Sequence, residues 1–233
     1  MRTCIITGAG TGIGRETAIR LSQREDIENL VLMSLGEEEL AETKRQMNQE
    51  KNIALYDLDL TRYDEVERAI DEVYAKFGRI DILLNFAGYA KAASLMECDL
   101  HTWQKTFDIN VTSMFWICKQ SVRHMQKQGG IILNVSSTSG NTPRPGWLAY
   151  ASSKSAVIGF SRSLSEELRP YKIRVYSLLP GRCATNMRKG LVPDEDQSVL
   201  MQPEDVAHVV NFLVSPEDNC LDGHDIVIRK QAW

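Results

Sequence analysis

Basic clusters, long apolar runs and paired cysteine motifs are all missing from this 233-residue chain. Lys+Arg number 27 against Asp+Glu 31, a net charge of −4, and no Lys/Arg block stands out, so a nucleic-acid-binding surface is excluded. No stretch approaches the roughly 18 apolar residues of a membrane span. The apolar opening Cys4-Ile5-Ile6 is too short for the core of a signal peptide. The chain therefore reads as cytoplasmic, with no membrane partner. Its five cysteines, Cys4, Cys98, Cys118, Cys183 and Cys220, are odd in number and lack CxxC spacing, which argues against a disulfide framework and a zinc site. His101, His124, His208 and His224 form no metal-binding pattern, so no metal is expected. In a cytoplasmic chain the sequons at Asn110 and Asn134 are coincidences of composition. Repeats, linkers and low-complexity segments are also missing, and residues 1–233 read as one domain.

What the chain does have begins with Tyr150-x-x-x-Lys154, set in an apolar periodicity (Ala149, Ala151, Val157, Phe160, Leu164) that predicts a buried helix. At that spacing the two side chains share a face, with Cβ atoms roughly 5–6 Å apart. An ammonium beside a phenol favours the phenolate, so the tyrosine pKa is expected to fall and the phenol to exchange protons with an alcohol or carbonyl. Upstream, Ile131 to Val135 reads as a buried strand delivering Ser136 and Ser137 to its carboxyl end. Alone the Tyr/Lys pair is weak, because such pairs arise often by chance on helix surfaces.

The amino-terminal half supplies the company. Arg2 to Thr7 predicts a strand, followed by Gly8-Ala-Gly-Thr11-Gly12-Ile13-Gly14 and a helical pattern. Glycines let a turn approach a phosphate, which the helix N-terminus then favours. At the end of the second strand stands Ser34, followed by Leu35, where an acid would bind a free ribose 2′-OH or an arginine a 2′-phosphate. Asp59, after the third strand, reads equally well as an adenine acceptor or as a helix-capping residue. The fourth strand runs into Asn85-Phe-Ala87-Gly88, whose small residues keep the backbone open beside a ligand. Asn110 interrupts the apolar segment Trp103 to Met125, either as a kink or as a bridge toward Lys154. Pro180-Gly181 ends the sixth strand. Seven strands alternating with helices demand a doubly wound parallel sheet with helices on both faces.

With these motifs in place the sequence resembles the short-chain dehydrogenase/reductase family along almost its entire length. The matching residues are Thr7-Gly8-x-x-x-Gly12-Ile13-Gly14, Asp59-Leu60-Thr61, Asn85-x-Ala87-Gly88, Asn110, Asn134-Val-Ser-Ser137, Tyr150-x-x-x-Lys154 and Pro180-Gly181 with Thr185. The resemblance implies a Rossmann-type fold, a catalytic tetrad of Asn110, Ser137, Tyr150 and Lys154, and NADP or NAD as cofactor. It further implies interconversion of a secondary alcohol and a ketone, with Asn110 holding a proton-relay water, in a homo-oligomer, a tetramer or dimer. Cofactor contacts are then expected from Gly8, Thr11, Gly12, Ile13, Gly14, Ser34, Asp59, Leu60, Asn85, Ala87, Gly88, Tyr150, Lys154, Pro180, Gly181 and Thr185. Ser34 in place of an acid tilts the expectation toward NADP, and Arg15 is the nearest cation in sequence. Phe86 departs from the family's frequent Asn, and the segment from Thr185 to Pro203 is shorter than the lid of many relatives, predicting a pocket left open or completed by a partner subunit. The tail from Ile226 to Trp233 lacks the usual Gly-Gly. The run Met114-Phe-Trp-Ile117 is wider than one helix stripe and suits both core and partner.

Three other functions compete. A 3-oxoacyl-thioester reductase would dock an acidic acyl carrier protein on Arg123, Lys127, Arg169 and Lys172. A non-catalytic nucleotide-binding regulator would have lost Tyr or Lys, and both remain. A nucleotide-sugar epimerase would have a longer chain with a substrate domain.

Overall fold

The computed structural model describes residues 1–215 and 221–230; Cys220 and the last tail residues 231–233 lie outside them. The strands are β1 (Arg2–Thr7), β2 (Ile27–Ser34), β3 (Asn52–Asp57), β4 (Ile82–Asn85), β5 (Gly130–Val135), β6 (Ile173–Pro180) and β7 (Asp225–Ile228). All pair in parallel, in the order β3-β2-β1-β4-β5-β6-β7. Strands covered on both faces need no alternation, and β1, β2, β4 and β6 are accordingly near-continuous apolar runs.

Successive residues of β1 serve opposite layers. Cys4 and Ile6 pack with Ala18 and Leu21 of α1 (Gly12–Leu21), Leu40 of α2 (Glu37–Gln46) and Val206 and Val210 of α9 (Pro203–Leu213). Ile5 packs with Val66 and Ile70 of α3 (Tyr63–Phe77), Ile117 of α5 (Ser113–Met125) and Val157 of α7 (Leu148–Leu168). Among the described residues no helix is long and apolar enough to cross a membrane.

Strand order reverses between β1 and β4, so the loops leaving their carboxyl ends diverge and open a crevice. The two loops are nonetheless tied at their roots. Ala87 N–H donates to Thr7 Oγ1 at 3.2 Å, and Gly8, at φ +64°, lies so close that a Cβ there would sit 2.7 Å from Ala87 N. Only glycine combines that backbone angle with that approach.

The interruption expected at Asn110 is a π-turn, Asp108–Thr112, joining α4 (Leu100–Phe107) to α5. Such turns insert an extra residue and commonly mark functional sites. The sequence pattern missed two short helices, α6 (Thr138–Asn141) and α8 (Asn186–Leu191), both too short to show a period.

Candidate active site

One cleft of about 1170 Å³ lies outside the carboxyl ends of the strands. It is lined by Gly8, Thr11, Gly12, Ile13, Gly14, Ser34, Asp59, Leu60, Ala87 and Gly88 from the amino-terminal half, and by Ser137, Tyr150, Lys154, Pro180, Gly181 and Thr185 from the other half. Two of the residues expected there are not among its lining. Asn85 turns into the sheet, donating to Asn134 Oδ1 at 2.8 Å, because the parallel register sets both in one buried polar row with Thr7 and Ser177. Asn110 is also buried.

The glycine turn suits a dinucleotide. At the first turn of α1 no acidic residue is present, and the N-cap Thr11 makes no side-chain cap, leaving the amino-terminal N–H groups directed at the cleft without a competing acceptor. Across it, the methyl of Thr185 approaches Gly12: a Cβ there would lie 3.3 Å away. Asp59 spends one oxygen on Thr61, accepting from its N–H at 2.9 Å and its hydroxyl at 2.8 Å, while still facing the cleft. The capping and lining readings therefore coexist, although the side chain forms a turn ahead of α3 rather than its N-cap. At the end of β2, Ser34 and Leu35 line the cleft. Arg15 turns from it to Thr43 Oγ1 and the carbonyls of Gly10 and Glu39.

The two serines delivered by β5 separate. Ser136 donates to the carbonyl of Lys154 at 2.7 Å, locking β5 to α7. Ser137, whose Oγ accepts from Ser139 N–H at 3.1 Å, hydrogen-bonds the phenol of Tyr150. Lys154 is buried and donates to Val135 O at 2.9 Å, with Nζ 5.8 Å from the centre of the Tyr150 ring.

Electrostatics correct the expectation of a lowered tyrosine pKa. Tyr150 keeps some surface open to the cleft, yet desolvation by the packing around it pushes the phenol up, against the opposing pull of the Ser137 hydrogen bond and the charge of Arg188. Burial simultaneously pushes Lys154 down to about 8. Helical spacing gave proximity correctly but carried no information on the loss of water, which acts on both groups. Arg188, not Lys154, is the cation whose field at the phenol favours ionisation.

Asn110 joins this group indirectly. Its carboxamide accepts from Tyr89 N–H at 2.7 Å and donates to Tyr89 O and Ser153 Oγ, both at 2.9 Å, which ties the β4 loop to the residue before Lys154. Gly88 lies beside both groups: a Cβ there would lie 3.5 Å from Asn110 Oδ1 and 3.6 Å from Lys154 Nζ, ordinary contact distances.

Residues the motifs did not reveal complete the cleft around Tyr150. Trp147 meets the Tyr150 ring edge-on at 6.0 Å, and Asn186, Met187 and Arg188 of α8 with Val192 and Val199 cover the cleft. The short segment after Thr185 thus contributes lining to the cleft. The only sequence signal for it was the helix-capping type of Thr185, whose side chain accepts from Arg188 N–H at 3.2 Å. The bases Arg123, Lys127, Arg169 and Lys172 lie at the opposite end of the sheet, ahead of β5 and β6. The eight residues of β6 put them about 23 Å from the cleft.

Known proteins share this arrangement. Residues 2–196 match the model of the short chain dehydrogenase family. The chain is 32% identical to a 3-oxoacyl-(acyl-carrier-protein) reductase of Thermotoga maritima, over 97% of this chain and 96% of that one. It is 31% identical to the trans-4-hydroxycyclohexanecarboxylate dehydrogenase of Sinomonas cyclohexanicum, over 97% and 91%. Among solved structures, the carveol dehydrogenase of Mycobacterium avium in complex with NAD superposes with a TM-score of 0.89 at 26% identity, over 97% of this chain and 95% of that one. A cleft at the strand reversal, a glycine turn and a Ser/Tyr/Lys group, together with a family match over most of its length, make this chain a member of the short-chain dehydrogenase/reductase family.

Proposed function

We propose that the protein is an NAD(P)-dependent oxidoreductase that interconverts a secondary alcohol and a ketone, with residues 1–233 as one catalytic domain. The convergence of Ser137, Tyr150 and Lys154 in the same cleft as the glycine turn carries this reading. The nicotinamide cofactor supplies or accepts the hydride when bound. Gly8, Thr11, Gly12, Ile13 and Gly14 with Thr185 would hold its diphosphate side. Ser34, Asp59 and Leu60 would hold the adenosine, and Ala87, Gly88, Pro180, Gly181, Tyr150 and Lys154 the nicotinamide side; Asn85 supports that wall from within the sheet.

In the reducing direction Tyr150 gives its phenolic proton to the substrate oxygen, and Ser137, already bonded to the phenol, orients that oxygen. Arg188 supplies positive charge as the phenolate forms, and Lys154, on the same helix face as Tyr150 and held by Val135 O, would bind the nicotinamide ribose. Asn110 is a positioning residue through Tyr89 and Ser153. Replacement of Tyr150 by Phe is expected to abolish turnover while cofactor affinity survives. Near-normal kcat on a confirmed substrate would refute the role.

Cofactor preference leans to NADP(H). Ser34 itself carries no charge to oppose a 2′-phosphate, but Asp57 accepts from the Gly36 N–H at 2.9 Å nearby and Arg15 is engaged by carbonyls, so the discrimination is small, about 1–2 kcal/mol or roughly five- to thirtyfold. Fluorescence titrations with both reduced cofactors at one ionic strength test it; NADH tighter by tenfold reverses the lean. A homo-oligomer, dimer or tetramer, is supported by exposed Phe115, which joins Trp116 and Phe160 in an aromatic cluster between α5 and α7. A cytoplasmic location accords with the free thiols of Cys4, Cys98, Cys118 and Cys183.

A further inference from the structure

The charge of the cleft differs between its two ends. Of the acids along it, Asp59 lies at the β2–β3 end and is engaged by Thr61, while Asp108 accepts from Gln104. Around the carbonyl end stand Lys105, Arg144, Arg182 and Arg188.

Arg188 is held like a preset clamp. Its Nε and one terminal nitrogen reach the two oxygens of Glu195 at 2.5 and 2.8 Å, and Arg182 binds the same carboxylate at 3.0 Å. The fork is thereby fixed, its side chain 23% exposed, and Glu195 engages only Nε and one of its two terminal nitrogens. One carboxylate shared by two guanidiniums leaves a net positive charge at the cover. Arg144, on the loop ahead of α7, also lines the cleft, and no described residue pairs with it. Trp147 supplies an apolar wall between that loop and Tyr150.

We propose that the substrate is an oxo or hydroxy carboxylic acid, whose carboxylate is received by Arg188 and Arg144 while its carbonyl or carbinol meets Ser137 and Tyr150. The assignment rests on the oxidoreductase reading and narrows it to a substrate class. Arg188 lines the same cleft as Ser137, Tyr150 and Trp147, on the helix that Thr185 caps, so a carboxylate held there shares the cleft with the reacting oxygen. Charge-assisted hydrogen bonds of this kind give about ten- to hundredfold preference over a neutral analogue.

The test compares 4-oxopentanoate and 4-oxocyclohexanecarboxylate with their methyl esters, in the full-length protein with saturating reduced cofactor. Two readouts are taken: kcat/KM from nicotinamide absorbance, and ligand affinity from quenching of tryptophan fluorescence. The acids are expected to exceed their esters by tenfold or more in both. In Arg144→Gln, which breaks no contact within the protein, the acid/ester ratio should fall at least threefold, and in Arg188→Gln toward one. Esters equal to or better than acids in the wild type, or a ratio unchanged in both variants, overturns the proposal. So does a loss of cofactor affinity in Arg188→Gln as large as the loss of acid preference, since the arginine would then serve the cofactor. Acid-selective binding without turnover of any ketone supports the anion site and sinks the oxidoreductase reading; turnover without acid preference does the reverse.

Discussion

Replacing Lys154 by Met should stabilise the protein at neutral pH while removing its activity. The fall of the lysine pKa from 10.5 to about 8 by burial means that folding disfavours the ammonium by about 3 kcal/mol wherever both states are protonated. Methionine fills nearly the same volume without that penalty. It also strips Val135 O of its 2.9 Å donor, which costs about 1–2 kcal/mol. The net gain is about 1–2 kcal/mol, or a rise in Tm of about 2–8 °C for a chain of this size. The sign with pH follows from the folded pKa lying below the unfolded one. Below about pH 8 both states hold the proton and the penalty is complete. Between about 8 and 10.5 the folded lysine has released a proton that the unfolded chain retains, so wild-type stability rises with pH and the variant's advantage disappears. By pH 10 the difference should have moved by about 2–3 kcal/mol and changed sign. Paired urea unfolding curves at pH 7 and pH 10, followed by far-ultraviolet circular dichroism, give the difference, in which titrating groups remote from Lys154 cancel between the two proteins. A variant less stable than wild type at pH 7, or a difference independent of pH, would refute the reasoning.

Other outcomes follow from the same contacts. Gly14→Ala should destabilise by about 1–3 kcal/mol and weaken cofactor binding, as its methyl would sit 2.2 Å from Gly8 O; chemical denaturation and a cofactor titration check both. Asn110→Ala should lower kcat more than it raises KM, because it frees the Tyr89 loop from Ser153 without touching the phenol, and a steady-state comparison at saturating cofactor separates the two effects. Phe115→Glu should shift the assembly to smaller species in sedimentation velocity at micromolar concentration while leaving the melting curve of the fold two-state. A wild-type protein already monomeric there would end the oligomer proposal.

Local patterns carried much of this molecule. The apolar runs of β1, β4 and β5, the glycines after β1 and the four-residue spacing of Tyr150 and Lys154 each act over a few neighbouring residues, so the sequence alone predicted the parallel sheet, its turn and the shared helix face. It also marked Asn110 as a break in a long helical segment, which is where the π-turn falls.

Tertiary structure decided what depends on distant segments. The register of β4 on β5 turned Asn85 away from the cleft and onto Asn134, and the lock between Ser136 and the Lys154 carbonyl left Ser137 to meet the phenol. The cleft lining after Thr185 has no period to read; it is set by Thr185 capping α8 and by Glu195 gathering Arg182 and Arg188. Most of all, the tyrosine's charge state was not legible. A helix spacing names one neighbour, whereas desolvation sums over every segment that excludes water, and around Tyr150 that sum outweighs both its serine partner and its nearest arginine.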